Sequence, residues 1–268
     1  MNKIITIYIT LFIIFTSTLL AEFNFSKIPK KLTAYYTASI QPIDVLEEKL
    51  NFHGFKVLAI TEILRGEIVL TISNNELLQT NSYLSTLQLL VNTIHSEIRI
   101  QNPSYFGMAY LQKNYEYGQF KATLDALENV LGKMNPVKER YSFQKLAHFQ
   151  FMFGLPYFKD MLSIPILGDP LKVLNKEEHL LYELKLPNGN RLIGHRFRVR
   201  TNNFLKVIGQ EENALLLPYE SMIEKSKVTI LDPKYYLALS LPLLSLGEFM
   251  KIATTPDTIK REITKAYR

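Results

Sequence analysis

The 268-residue sequence predicts an α+β fold of two similar small modules, each an antiparallel sheet with helices packed on one face. Three observations predict it. Short β-branched and apolar stretches, some of them alternating, are punctuated by Asn, Asp, Pro and Gly. Helical stretches follow several of those breaks. The same succession of breaks occurs twice along the chain. Hydrophobic residues at 47% and charged residues at 21% suit a globular protein whose apolar core does all the holding, since there is no cysteine.

Residues 1–21 are expected to be a signal peptide. Lys3 precedes residues 4–20, which are apolar apart from Thr and Ser, and the stretch ends at Ala21-Glu22. A cut after Ala21 leaves Leu19 at the −3 position, larger than signal peptidase prefers. An uncleaved anchor is the competing reading: 4–21 would be about 27 Å long as a helix, against a hydrocarbon core of roughly 30 Å. Either reading puts the bulk of the protein outside the cytoplasm, and a periplasmic location is expected. Gly154, Pro156, Lys159, Asp160 and Pro165 break the later apolar stretch 149–167, so no second span is expected.

The first module is assigned to 33–134. A short amphipathic helix over 44–54 stops at Gly54 and feeds a strand over 55–63. A strand over 67–72 ends at Asn74-Asn75, where an Asn side chain can cap the next helix. A Leu-rich run over 87–91 and a strand over 98–100 lead to Asn102-Pro103. There Asn102 caps a helix, and the proline sits at the first helical position, where its missing N–H costs nothing. A second helix is expected over 120–131. Residues 135–175 form an apolar connecting segment, with a helix over 141–153 and a Pro- and Leu-rich stretch over 154–170 that is expected to pack on the modules.

The second module is assigned to 176–268. Strands over 180–186 and 191–199 meet across Pro187-Asn188-Gly189-Asn190, a hairpin signal. A Leu-rich run over 215–217, a strand over 228–231, a helix capped by Asp232-Pro233 and a last helix over 258–267 follow. Asn74-Asn75 correspond to Asn202-Asn203 at an offset of 128 residues. Asn102-Pro103-Ser104-Tyr105-Phe106 correspond to Asp232-Pro233-Lys234-Tyr235-Tyr236 at an offset of 130. Two matches at nearly one offset predict an internal duplication.

Gly54-Phe55-Lys56-Val57-Leu58, Ser73-Asn74-Asn75, Leu215-Leu216-Leu217-Pro218 and Ile230-Leu231-Asp232-Pro233 resemble the pieces of the domain-of-unknown-function 302 family. The resemblance covers both halves and implies the same small α+β module in each. That family has no assigned chemistry. Its Leu-Pro run is often followed by cysteine, whereas Tyr219 follows Pro218 here, so no thiol or metal role carries over.

The functional signals are few. Absence of cysteine excludes a disulfide scaffold, a thiolate metal site and a cysteine nucleophile. The net charge of +6 comes without a run of five basic residues, so nucleic acid is not an expected partner. No G-x-S-x-G elbow, Walker loop, H-E-x-x-H or dinucleotide glycine pattern occurs; no catalytic residue, cofactor or metal is expected. His53, His95, His148, His179 and His195 show no metal spacing and read as isolated side chains. Arg191, Arg196, Arg198 and Arg200 cluster, and strand alternation would put Arg196, Arg198 and Arg200 on one face. Such a row could hold a carboxylate, phosphate or sulfate, or serve as a solvated sheet face. Tyr105 and Tyr235, in paired aromatics, either line a ligand cleft or close the core.

The expected role is therefore non-catalytic: binding a small or anionic ligand, or a protein partner, at the groove between modules. The alternative is a structural, envelope-associated protein, meeting the membrane only through an uncleaved N-terminal segment or by peripheral contact. A homodimer fits either reading, and an enzyme is the third.

Overall fold

The computed structural model describes Phe23 and residues 25–268; the expected signal or anchor at 1–21 lies outside them. The fold is α+β, and every strand pair among the described residues is antiparallel. In chain order the strands are β1 (Lys31–Thr33), β2 (Tyr35–Ser39), β3 (Lys56–Leu64), β4 (Glu67–Ser73), β5 (Leu87–Asn92), β6 (Glu97–Gln101), β7 (Asn135–Pro136), β8 (Arg140–Ser142), β9 (Leu162–Ile164), β10 (Leu180–Lys185), β11 (Arg191–His195), β12 (Tyr219–Glu224) and β13 (Lys227–Ile230). They build a first sheet in the order β3-β4-β5-β6-β2-β7 and a second in the order β10-β11-β12-β13-β9, with β1 and β8 paired separately. Within β2–β6 and within β9–β13 the spatial order is the same: second, third, fourth, fifth, first.

Local chemistry explains most of the elements. Helix Ile43–Phe52 ends before Gly54, which takes the left-handed conformation at φ +83° while the N–H of Phe55 returns to the carbonyl of Leu50. Asn74 accepts from the N–H of Leu77 and caps the short helix Asn75–Leu78. Asn102 and Asp232 accept from the N–H groups of Ser104 and Lys234, and each is followed by proline in the first turn of its helix, Pro103–Leu111 or Pro233–Ser240. Helices Lys121–Leu131 and Thr255–Ala266 follow.

Four expectations need correction. The strand expected to run through Arg196–Arg200 stops at His195: the N–H of Arg196 donates to the carbonyl of His179 at 2.7 Å, and Val199–Asn202 is a short helix. Asn202 therefore lies inside that helix, whereas Asn74 directly follows its strand, so the two Asn pairs are not placed alike. The helix expected over 141–153 is replaced by β8 and the four-residue helix Phe143–Leu146, because β8 pairs with β1 and the following aromatics turn inward. Finally, the connecting segment contributes to the sheets, β7 to the first and β9 to the second. Its aromatic rings pack across the fold, Phe149 against Tyr235, Phe158 against Tyr110 and Phe151 against Phe249.

The two sheets bury surface against each other. Residues of β5 are buried on both faces. The 3₁₀ segment Glu211–Leu216 of the second module lies over β4, β5 and β6. In the opposite direction, Tyr83 reaches from the first module to the carbonyl of Thr229 at 2.9 Å. A further join is at the end of helix Pro233–Ser240, whose last carbonyls have no partner within the helix. Tyr105 donates to the carbonyl of Leu239 at 2.9 Å and Tyr35 to that of Ser240 at 2.8 Å. Arg99 stacks over the Tyr35 ring, 4.7 Å from its centroid, and pairs with buried Glu139 at 2.7 Å.

Removing either hydroxyl leaves a buried helix-end carbonyl without its donor. Tyr35→Phe and Tyr105→Phe are each expected to lower the unfolding free energy by about 1–3 kcal/mol in urea titrations.

Candidate functional site

The structure disperses the arginine cluster. Arg191 lies on β11 and pairs with Glu183 of β10. Arg198, past the end of β11, pairs with Glu178 at 3.3 Å in an exposed bridge. Arg200 is exposed on the short helix, and Arg196 is exposed one residue beyond β11. The single guanidinium face that alternation would have produced does not exist. Tyr105 and Tyr235 do not join these arginines. Tyr105 is the helix-end donor described above, and Tyr235 is buried against Phe149 and Phe158.

Arg196 nevertheless lines a groove between β3 of the first sheet and the β10–β11 end of the second. The groove has a volume of about 220 Å³; Thr61, Glu62 and Ile63 of edge strand β3 form one wall. The other wall comes from the second module, where Leu181, Arg196 and Leu217-Pro218 lie. Among the described residues Arg196 is the only cationic side chain lining it. Glu62 faces from the first module, with one oxygen already accepting the N–H of Gly66 at 2.9 Å.

A second, smaller space lies deeper between the sheets, and Pro218 borders both. It is built by register. Tyr182, Gly194 and Glu220 stand side by side on β10, β11 and β12. A Cβ at Gly194 would lie 2.1 Å from the Tyr182 ring, so only glycine lets that ring cross β11 and bring its hydroxyl onto Oε1 of Glu220. Thr86 of the first module donates to the same oxygen at 2.5 Å. Opposite, on the first sheet, Thr71 donates to Gln88, and the Oε1 of Gln101 accepts the N–H of Gln88. Burial pushes the Glu220 carboxyl up to about 7, against the lowering effect of the Thr86 and Tyr182 hydroxyls.

Two further buried groups escape sequence reading. Glu67, Asn92 and Glu97 are in line across β4, β5 and β6. Glu67 is 1% exposed, with neither carboxylate oxygen hydrogen-bonded. Burial, reinforced by Glu212, Glu211 and Glu97, pushes it up to about 7. His195 shares a hydrogen bond of 2.7 Å with Ser221, which shares another of 2.7 Å with Tyr267. Burial pushes His195 down to about 3, which keeps it neutral. The pair has the form of a base beside a hydroxyl, but Ser221 is wholly buried, so the geometry supplies no nucleophile to a substrate. Among the described residues no group of three or more His, Asp or Glu side chains is placed to hold a metal ion. No local signal marks these groups: Glu220 and Ser221 sit in an unremarkable strand, and their partners are distant in sequence.

Compared with known proteins, the chain matches no family model, no curated protein and no solved structure.

Gly194→Ala is expected to displace Tyr182 and destabilise the protein by about 1–3 kcal/mol in chemical unfolding. For Glu67 the sign follows from its raised value: the folded state holds the proton more tightly than the unfolded chain. Its contribution is therefore fully present below about pH 4.5 and is lost as pH rises through 7. Unfolding measured from pH 4 to 8 should show Glu67→Gln lacking on the order of 1–3 kcal/mol of the wild-type decline.

Proposed function

We propose that this is an exported, periplasmic, non-catalytic protein that binds a small anionic ligand in the groove between its modules. Export rests on Lys3, the apolar stretch 4–20 and Ala21. The observation that carries the binding reading is Arg196: one exposed guanidinium, with no acidic partner among the described residues, inside a groove of about 220 Å³. That volume suits a ligand of a few heavy atoms. A carboxylate, phosphate or sulfate can take the guanidinium fork in bidentate fashion.

A second reading, envelope assembly or peripheral membrane contact, is favoured by the connecting segment. Phe153 is 98% and Leu167 92% exposed, apolar side chains that a membrane surface or another subunit could cover.

A thermal-shift series with acetate, citrate, sulfate and inorganic phosphate tests the anion reading at matched ionic strength. At least one is expected to raise the melting temperature of the wild type, and Arg196→Ala is expected to abolish the rise while Arg200→Ala keeps it. No stabilisation by any of the four, or stabilisation that survives Arg196→Ala, overturns the assignment.

A further inference from the structure

The cavity beneath the groove has the opposite chemistry. Its volume is about 30 Å³, room for a group the size of one or two waters. Five aromatic rings line it, those of Tyr83, Phe106, Tyr110, Tyr219 and Tyr236. Three of the four tyrosine hydroxyls already donate to backbone carbonyls: Tyr83 to Thr229, Tyr219 to Leu231 and Tyr236 to Leu216. Their remaining capacity is to accept. No cationic side chain lines the space, and none forms an ion pair with Glu220 among the described residues. Both hydroxyl donors to Glu220 converge on Oε1, and Oε2 takes no hydrogen bond.

We infer that this cavity is a binding site for a small primary ammonium group, of methylammonium size, held between the free oxygen of Glu220 and the surrounding rings. Each part of the geometry selects for that class. A part-buried carboxylate with no counter-ion among the described residues favours a cation. Aromatic rings add attraction for a cation through their quadrupoles. An ammonium carries only donors, which matches the acceptor oxygens of Glu220 and the tyrosines; Gln88 and Gln101, whose amide oxygens already accept from Thr71 and the Gln88 N–H, complete the polar lining. The small volume excludes a quaternary head. The Glu220 carboxylate disfavours an anion, so the ligand class differs from the one proposed for the groove at Arg196.

The test uses the full chain at pH 8, with methylammonium chloride titrated against potassium chloride and tetramethylammonium chloride at equal ionic strength. Methylammonium is expected to raise the melting temperature by roughly 2–4 °C at several times its dissociation constant, with no comparable effect of the other two salts. Glu220→Gln keeps the side-chain shape and is expected to weaken methylammonium binding at least tenfold in calorimetry. A pH series on the wild type supplies a readout that needs no variant. Because Glu220 ionises near pH 7, apparent affinity should climb from pH 5.5 and level off above pH 7.5 or so. Equal stabilisation by potassium or tetramethylammonium, a pH-independent affinity, or binding undiminished in Glu220→Gln overturns the inference.

Discussion

The end of helix Pro233–Ser240 is the point on which the arrangement of the two modules depends. A helix that stops in the interior exposes carbonyl groups with neither water nor backbone donors, and such a terminus is unstable unless something else donates. Here the donors come from the other module, as the hydroxyls of Tyr35 and Tyr105. Both rings are wholly buried, so neither hydroxyl can move away without opening the interface. Tyr35 is held in turn by Arg99, and Arg99 by Glu139, just beyond the strand β7 that extends the first sheet. Breaking a buried pair of this kind leaves an uncompensated charge, which ties the first sheet's edge to the second module's helix end.

That join explains where the two inter-module spaces fall. With the helix end fixed, the inner faces of the sheets meet along their polar rows, Thr71-Gln88 on one side and Tyr182-Gly194-Glu220 on the other. Polar rows cannot interlock as closely as apolar ones, because each side chain must keep its hydrogen bonds, and a small cavity remains. Farther out, the groove lies between edge strand β3 and the chain leaving β11, which Asn202 ties back to the carbonyl of Ile63 at 3.0 Å.

What was legible in the sequence was what local chemistry determines. The Asn102 and Asp232 caps, the Gly54 stop and the hairpin at 187–190 each rest on contacts within a few residues. The failures are tertiary. The pattern through Arg196–Arg200 alternates like a strand, but the chain is turned by the distant carbonyl of His179, which no spacing records. Strand β12 hides because its sequence, YESMIE, puts a carboxylate on the face toward the other sheet, where Thr86 donates to it, and a buried hydroxyl on the opposite face, where Ser221 meets His195 and Tyr267. The connecting segment is expected to hold a helix over 141–153, yet its rings serve contacts to Tyr235 and Phe249. Of the six residues expected to form the site, only Arg196 lines the groove; the groups that shape the cavity acquire their meaning from register and partners.

The two spaces carry opposite charge and share a wall at Pro218. Arg196 is exposed and Glu220 part-buried, so solvent screens part of the field that each sends across Pro218, and only the remainder couples the two spaces. An anion bound at Arg196 places negative charge beside the cavity and favours a cation there. A cation on Glu220 in turn favours the anion. Any such coupling is reciprocal in free energy, so the proposed sites would fill in concert rather than independently. Since both lie between modules that are already locked by Tyr35 and Tyr105, that coupling needs no domain movement; it follows from charge placement across one proline.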